Sequence, residues 1–171
     1  MPIGRSLEGR KRDQVVTLIF LHVETKAPAW FQSAKELYFK KISGFVKVEE
    51  WTIKSPPQQR KDSSQKVSQE AQKILAKLIP SDFLVLFDEK GKSYDSIAFS
   101  SELQKVFERS PQRIVFLIGG AFGVDSSIQE RAQWKVSLGK MTMNHLVAQI
   151  VSLEQVYRAL TIQKNIPYHN E

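Results

Sequence analysis

The sequence contains no cysteine, and this absence excludes two common ways of holding a small fold together. Disulfide bridges cannot form, and a zinc site with thiolate ligands is not available. Only three histidines, His22, His145 and His169, could offer imidazole to a metal, and no histidine and carboxylate cluster has the spacing of metal ligands. We therefore predict no bound metal and set a metal-dependent hydrolase aside.

A long apolar run is also missing. A membrane-spanning helix needs about 20 apolar residues, whereas the run from Val15 to Val23 is short and contains Thr17 and His22. Basic residues before this run and Ala27-Pro28-Ala29 after it leave a secretion signal as an alternative. A buried first strand fits the run better, and we predict a cytoplasmic protein that makes no membrane contact.

Positive charge, by contrast, is in excess. The 25 lysines and arginines outnumber the 18 aspartates and glutamates, which gives a net charge of +7. This balance favours a polyanionic partner, although a basic composition is commoner than nucleic-acid binding. A chain of 171 residues suffices for one hydrophobic core. We predict a single domain over residues 14–171, preceded by a basic, disordered extension over residues 1–13.

Uninterrupted apolar runs alternate with helical stripes along the chain. Phe83–Phe87 and Ile114–Ile118 contain only apolar residues, which is typical of strands buried on both faces of a parallel sheet. Strands that alternate with helices predict an α/β fold with a mostly parallel sheet and flanking helices. The pattern also predicts a helix opening at Pro28, a strand over Phe45–Ile53, a loop over Ser55–Ser64, a helix beginning near Asp125 and a last helix capped by Asn144.

Three segments are candidates for chemistry. Gly119–Gly123 follows a buried strand, where ligands gather in open α/β sheets, and a plain tight turn is the alternative. The G-x-G-x-x-G spacing is absent, which excludes a nicotinamide dehydrogenase. Ser137–His145 is typical of a loop entering a helix, and its histidine could accept a proton or belong to the cap. Arg158 and Tyr168-His169 lie near the end of the chain, where a paired surface charge and a frayed terminus are the alternatives.

In this order the segments resemble the large-subunit ribosomal RNA methyltransferase H family of the SPOUT superfamily. The resemblance rests on Ile118-Gly119-Gly120 with Gly123, Trp134, Ser137-Leu138 through Met141-Thr142 to His145, Glu154 through Arg158-Ala159, and Tyr168-His169. It covers nearly everything from Val15 onward. The resemblance implies a C-terminal trefoil knot and a homodimer in which one subunit's tail lies near the other's cofactor pocket.

The resemblance also implies an activity, namely S-adenosylmethionine-dependent methylation of N3 of a pseudouridine in 23S rRNA of the assembled 70S ribosome. The implied cofactor-binding residues are Phe87, Gly119, Leu138, Gly139, Lys140, Met141, Thr142 and Met143. As catalytic residues we predict His145, Arg158, Tyr168 and His169. One of the histidines or Tyr168 would accept or relay the N3 proton, and Arg158 would stabilise the imidate or bind a phosphate. Tyr168 could instead stack on the base.

Two alternatives stay open beside this hypothesis. One is a non-catalytic RNA-binding or ribosome-assembly module of the same fold, against which the retained glycines and Thr142 argue. The other is a related methyltransferase that acts on transfer RNA. The chain departs from the family pattern at Asn144, where proline is common, and at Asn170, where a basic residue is usual. The second departure could weaken contact with rRNA, for which the basic extension could compensate.

Overall fold

The computed structural model describes residues 15–55 and 63–170. The basic extension predicted over residues 1–13 lies outside the described residues, as does most of the loop predicted over Ser55–Ser64. In the described part, five strands alternate with five helices. They are β1 (Thr17–Val23), α1 (Ala29–Ser43), β2 (Lys47–Ile53), α2 (Ser63–Lys77), β3 (Phe83–Ser93), α3 (Ser96–Glu108), β4 (Arg113–Ile118), α4 (Ser126–Arg131), β5 (Trp134–Ser137) and α5 (His145–Gln163).

The five strands lie parallel in one sheet with the order β2-β1-β4-β3-β5. Strand β4 occupies the centre, and its residues Ile114–Ile118 are buried. Because all strands run in the same direction, the loops that follow them gather at one edge of the sheet. The predicted α/β class with a parallel sheet is confirmed.

Helices cover both faces of this sheet. Phe83, Val85 and Phe87 pack with residues of α1, α3 and α5, whereas Leu84 and Leu86 pack with residues of α2 and α4. Successive side chains of a strand point to opposite faces, so a strand segment that is covered on both faces, such as Phe83–Phe87, needs apolar residues at every position. Burying each such side chain stabilises the fold by roughly 1.5–3 kcal/mol. This double burial is the reason for the uninterrupted apolar runs.

The structure differs from the sequence-based prediction at several places. Strand β2 begins at Lys47, so the predicted start of that strand at Phe45 is wrong. Helix α2 already begins at Ser63, so the prediction that the preceding loop extends to Ser64 is wrong. Strand β3 continues beyond Phe87 to Ser93. Strand β5 has no counterpart among the predicted strands, because its four residues include an exposed lysine and its only neighbour in the sheet is β3.

Strands β3 and β5 approach each other closely where their register shifts. Val136 pairs with both Phe87 and Lys92, so the residues between these two form an irregular segment of β3. Gly91 lies in this segment, and a Cβ atom there would stand 2.6 Å from the carbonyl carbon of Val136. Only glycine permits such a backbone approach. The contact holds β5, and the loop that follows it, beside Phe87.

We expect Gly91→Ala to lower the free energy of unfolding by roughly 1–3 kcal/mol, because the added methyl group forces the two backbones apart. Urea denaturation of the purified variant measures the change. Gly44→Ala is the matched control, since its Cβ would meet the Lys41 carbonyl oxygen at an ordinary 3.4 Å and its φ is −70°. Equal stability of Gly91→Ala and the wild type would show that the backbones of β3 and β5 do not approach each other this closely at Gly91.

Candidate active site

The carboxyl ends of the central strands open onto a cavity of about 650 Å³, which we call the first cavity. Its walls come from the middle of β3, where the pairing of β3 with β4 ends, and from the glycine loop after β4, the loop after β5 and the first turn of α5. Cavities of this size at the carboxyl edge of a parallel sheet are typical of small-molecule sites. The sheet topology therefore brings together segments that are far apart in sequence.

The glycine loop forms one wall of the first cavity as a tight turn. The amide of Gly123 donates a hydrogen bond to the carbonyl of Gly120 at 3.1 Å. The φ of Gly123 is +79°, a conformation that residues with a Cβ rarely adopt. At Gly119 a Cβ would lie 2.6 Å from Cγ1 of Val124. Side chains at these two positions would thus deform the wall.

The structure brings together most of the residues that the family resemblance implies for cofactor binding. Seven of the eight line the first cavity, namely Phe87, Gly119, Leu138, Gly139, Met141, Thr142 and Met143. Lys140 lies in the same loop with an exposed side chain and does not line the cavity. These residues come from three different segments, so their meeting on one surface follows from the fold.

Two acidic residues that the sequence pattern did not single out, Asp88 and Glu89, also line the first cavity. Their position directly after the buried run Phe83–Phe87 is the signal that could have found them. The carboxylate of Asp88 accepts hydrogen bonds from Nε2 of Gln129 and from the Lys90 amide, each at 2.8 Å. Negative charge at this wall complements a cationic ligand.

His145 lies at the start of α5 and lines the first cavity. The predicted cap is confirmed, because the Asn144 side chain accepts a hydrogen bond from the Leu146 amide at 2.9 Å. The Nε2 atom of His145 lies 3.1 Å from the hydroxyl oxygen of Thr25, which follows β1. Asn144 thus holds the helix start from which the imidazole projects.

A second cavity of about 620 Å³ lies beside the first, and Phe87 and Leu138 line both. Its other walls come from the start of α3, from β5 and from α5. His169 lines this second cavity and not the first. The two predicted catalytic histidines therefore face different cavities that share a wall.

One face of α5 runs along both cavities. His145 and Ala148 line the first cavity, and Val151 and Gln155 line the second. The spacing of three, three and four residues places these side chains on one side of a helix. The relative position of the two cavities is thereby set by a single helix.

Arg158, Tyr168 and His169 gather around Glu154. The Oε1 atom of Glu154 accepts hydrogen bonds from Nε and Nη2 of Arg158, at 3.1 and 2.5 Å, and from the Tyr168 hydroxyl at 3.1 Å. Nη1 of Arg158 lies 3.1 Å from Nδ1 of His169. A guanidinium can only donate, so Nδ1 accepts and the ring proton is on Nε2. Arg158 is thus a paired charge, and the tail is docked on α5 rather than frayed.

The phenol of Tyr168 is held in its protonated form. Burial raises its pKa, and hydrogen bonds with Tyr38 and Glu154 act in the same direction. The ring packs edge-on against Tyr157 at 4.7 Å, and the guanidinium carbon of Arg158 lies 4.7 Å from its centroid. A phenol with a raised pKa keeps its proton at neutral pH. Tyr168 is therefore suited to donating a hydrogen bond and to packing, not to accepting a proton.

Metal ligands do not gather in residues 15–55 and 63–170, where no three His, Cys, Asp or Glu side chains form a candidate cluster. His22 is buried on β1, its burial lowers its pKa, and its Nε2 lies 3.3 Å from Oε1 of Glu50. Its imidazole is thus part of a polar pair. Over the same described ranges, every helix is too short or too polar to cross a membrane.

A parallel α/β sheet with a glycine turn and a ligand-sized cavity at its carboxyl edge is typical of enzymes that bind a nucleotide-like cofactor. A family model described as predicted SPOUT methyltransferase matches residues 16–169. Ribosomal RNA large subunit methyltransferase H of Bdellovibrio bacteriovorus is 44% identical over 152 residues, which cover 89% of this chain and 97% of that protein. The protein of the same name from Lawsonia intracellularis is 43% identical over 145 residues, covering 85% and 91%.

A third relative, ribosomal RNA large subunit methyltransferase H of Porphyromonas gingivalis, is 38% identical over 159 residues, covering 92% of this chain and 99% of that protein. The chain belongs to the SPOUT methyltransferases and, among them, to the ribosomal RNA large subunit methyltransferase H family. Solved structures that it resembles include the putative methyltransferase Lpg2936 from Legionella pneumophila with bound SAM, at 11% identity and a TM-score of 0.43 over 87% of this chain and 67% of that chain.

We expect Gly119→Ala to weaken the binding of S-adenosylmethionine about 5- to 150-fold, because overpacking of this wall costs roughly 1–3 kcal/mol. Isothermal titration calorimetry measures the dissociation constant. Gly44→Ala, which lies at the end of α1, is the control and should bind as the wild type does. An unchanged dissociation constant for Gly119→Ala would place the cofactor elsewhere.

Proposed function

We propose that the protein transfers a methyl group from S-adenosylmethionine to N3 of a pseudouridine in 23S rRNA of the assembled 70S ribosome. The first cavity carries this proposal, because seven of the implied cofactor-binding residues line it in a chain of the methyltransferase H family. The net charge of +7 supports an rRNA substrate, since lysine and arginine bind phosphates. An enzyme that acts on assembled ribosomes works in the cytoplasm.

The residues of the first cavity fit S-adenosylmethionine, which supplies a methyl group on a cationic sulfonium. Phe87 and Leu138 offer apolar cover for an adenine ring, and the backbone at Gly119 can approach a ligand closely. Asp88 and Glu89 complement the positive charge of the ligand. The cavity thus combines apolar cover, open backbone and negative charge.

N3 of pseudouridine is an imide nitrogen whose proton must leave before the nitrogen can attack a methyl group. We propose His145 as the acceptor, since its ring lines the first cavity and is bonded only to the Thr25 hydroxyl among the described residues. Tyr168 retains its own proton, and His169 already accepts from Arg158 through Nδ1. Arg158 orients His169 through this bond, and we propose that its positive charge stabilises the developing imidate.

We also propose that the protein is a homodimer. Large apolar side chains remain exposed on α1 and α5, where Trp30 and Leu37 are 52% and 51% exposed and Val147 is 42% exposed. Helices α1 and α5 cover the same face of the sheet. Exposed apolar residues on neighbouring helices favour a face that a second copy covers. The trefoil knot stays a prediction of the family resemblance.

The activity is tested by incubating the protein with tritiated S-adenosylmethionine and, separately, 70S ribosomes and transfer RNA from a strain that lacks the endogenous enzyme. Mass spectrometry of the nucleosides should find methylpseudouridine in 23S rRNA alone. Methylation of transfer RNA would favour the second alternative. Cofactor binding without transfer to either RNA would favour a non-catalytic module.

We expect His145→Asn to slow single-turnover methyl transfer roughly 100-fold, because a positioned proton acceptor contributes about that much. Tyr168→Phe should slow it much less, since the substitution removes only the hydrogen bonds of the phenol with Glu154 and Tyr38. Rapid-quench experiments with saturating cofactor measure both rates. A wild-type rate in His145→Asn would show that another group accepts the proton.

A further inference from the structure

We propose that Phe122 and a group of lysines beside it bind the RNA strand next to the nucleotide that is methylated. The ring of Phe122 would stack on an unpaired neighbouring base. The phosphates would be bound by four lysines that we call the basic rim, namely Lys26, Lys54, Lys66 and Lys73. This inference rests on the proposed function, because it takes the RNA substrate from there and names where its strand runs.

Phe122 is one of the two central residues of the glycine turn. The turn is closed by the 3.1 Å hydrogen bond between Gly123 and Gly120. The side chain of Phe122 lines the first cavity and yet is 55% exposed, whereas Phe87, the other phenylalanine of that cavity, is 8% exposed. Single exposed apolar residues are common on proteins. This one is distinguished by its place at the cavity and by the charge beside it.

Lys66 supplies that charge. It lies in the first turn of α2, and its Nζ atom stands 5.4 Å from the centroid of the Phe122 ring. The ammonium group covers one face of the ring, which leaves the other face for a base. An aromatic surface with cations beside it is the combination by which proteins bind single-stranded nucleic acid, since bases stack on the ring and lysines neutralise the phosphates.

Helix α2 is fixed against the glycine turn by a buried carboxylate. Glu70 lies four residues after Lys66 and three before Lys73, so the three side chains share one side of the helix. Glu70 is buried, and its Oε1 accepts a hydrogen bond from the Ser55 hydroxyl at 2.7 Å. Its Oε2 lies 3.3 Å from the place that a Cβ of Gly120 would take. The two lysines that flank Glu70 are thereby positioned beside the turn.

Two further lysines continue the positive charge toward His145. They belong to an open hollow of about 370 Å³ that is lined by Glu24, Thr25, Lys26, Lys54 and Ser55. The Nζ atom of Lys73 donates a hydrogen bond to the Lys54 carbonyl at 2.8 Å, which joins α2 to this hollow. The Thr25 hydroxyl lies 3.1 Å from Nε2 of His145 and so joins the hollow to the first cavity. Glu24 opposes part of the charge, but the basic side chains outnumber it.

The charges at the first cavity are divided in a way that suits a bound strand. Asp88 and Glu89 line the cavity itself, where they complement a sulfonium and repel a phosphate. The four lysines of the basic rim lie outside the cavity. Phosphates are therefore attracted to the rim, and the interior stays open to the cofactor and to the one base that must reach His145. A second copy of the chain suits the rim less well, because it would bring its own net charge of +7.

Replacing the ring provides the first test. We expect Phe122→Ala to raise KM for unmethylated 70S ribosomes about 5- to 150-fold, as for the loss of one stacked base, with little change in kcat. Phe122→Leu should lose nearly as much, whereas Phe122→Trp should keep the wild-type KM, because stacking needs a ring and not only apolar bulk. Ile79→Ala is the matched control, since Ile79 is 42% exposed and lies outside the first cavity.

Removing one positive charge provides a second test. We expect Lys66→Ala to raise KM for ribosomes and to lower the slope of log KM against log salt concentration by about 0.7, the value for one phosphate contact with a single strand. Lys105→Ala removes the same charge from α3, where Nζ is paired with Glu102, and should leave the slope unchanged. Equilibrium binding of ribosomes in the presence of S-adenosylhomocysteine measures both effects without turnover.

The outcomes separate this inference from the proposed function. Wild-type ribosome affinity in Phe122→Ala, or equal losses in Phe122→Leu and Phe122→Trp, would overturn the stacking role, and an unchanged salt slope in Lys66→Ala would overturn the phosphate contact. A loss of S-adenosylmethionine affinity in Phe122→Ala would assign the ring to the cofactor, and dissociation into monomers would assign it to a second copy. If the wild type forms no methylpseudouridine while Phe122→Ala still weakens ribosome binding, the proposed function fails and this inference stands.

Discussion

The close approach of two backbones at Gly91 determines where the ligand cavities form. Strand β3 can lie against the Val136 peptide only because position 91 has no side chain. The loop after β5 consequently begins beside β3, and its first residue, Leu138, lines both cavities together with Phe87. These two residues form the wall that the two cavities share. The absence of a side chain at one residue thus positions the wall that the two cavities share.

Much of the fold can be predicted from local sequence patterns, and strand β5 is the exception. Phe83–Phe87 and Ile114–Ile118 are identifiable as strands because both faces of the central sheet are covered, so every position is apolar. Trp134–Ser137 lies at the edge, where only β3 pairs with it and where Lys135 can face water. Four residues of mixed polarity are too few to show the alternation of apolar and polar residues that predicts a strand. Their strand conformation depends instead on a tertiary contact, the close backbone approach of β3 and β5 at Gly91.

In the candidate site, too, some features can be predicted from the local sequence and others arise only from tertiary packing. A glycine-rich turn after a buried strand is visible in the sequence, and its place at the carboxyl edge follows from the parallel sheet. The role that we propose for the loop after β5 was predictable only from the family resemblance, since the composition of this segment is that of an ordinary loop. The second cavity has no sequence signature, because its lining residues Tyr94, Gln155 and His169 lie far apart along the chain and meet through packing. The docked tail is likewise a product of hydrogen bonds with Glu154 that spacing does not reveal.

Helix α5 contributes to both cavities over an unbroken stretch from His145 to Gln155. One inserted or deleted residue within that stretch would turn everything downstream by about 100°. Val151 and Gln155 would then face away from the second cavity even though His145 stayed in place. Natural relatives that share this site should therefore tolerate substitutions in the stretch far better than changes in its length, and length variation should be confined to loops outside it.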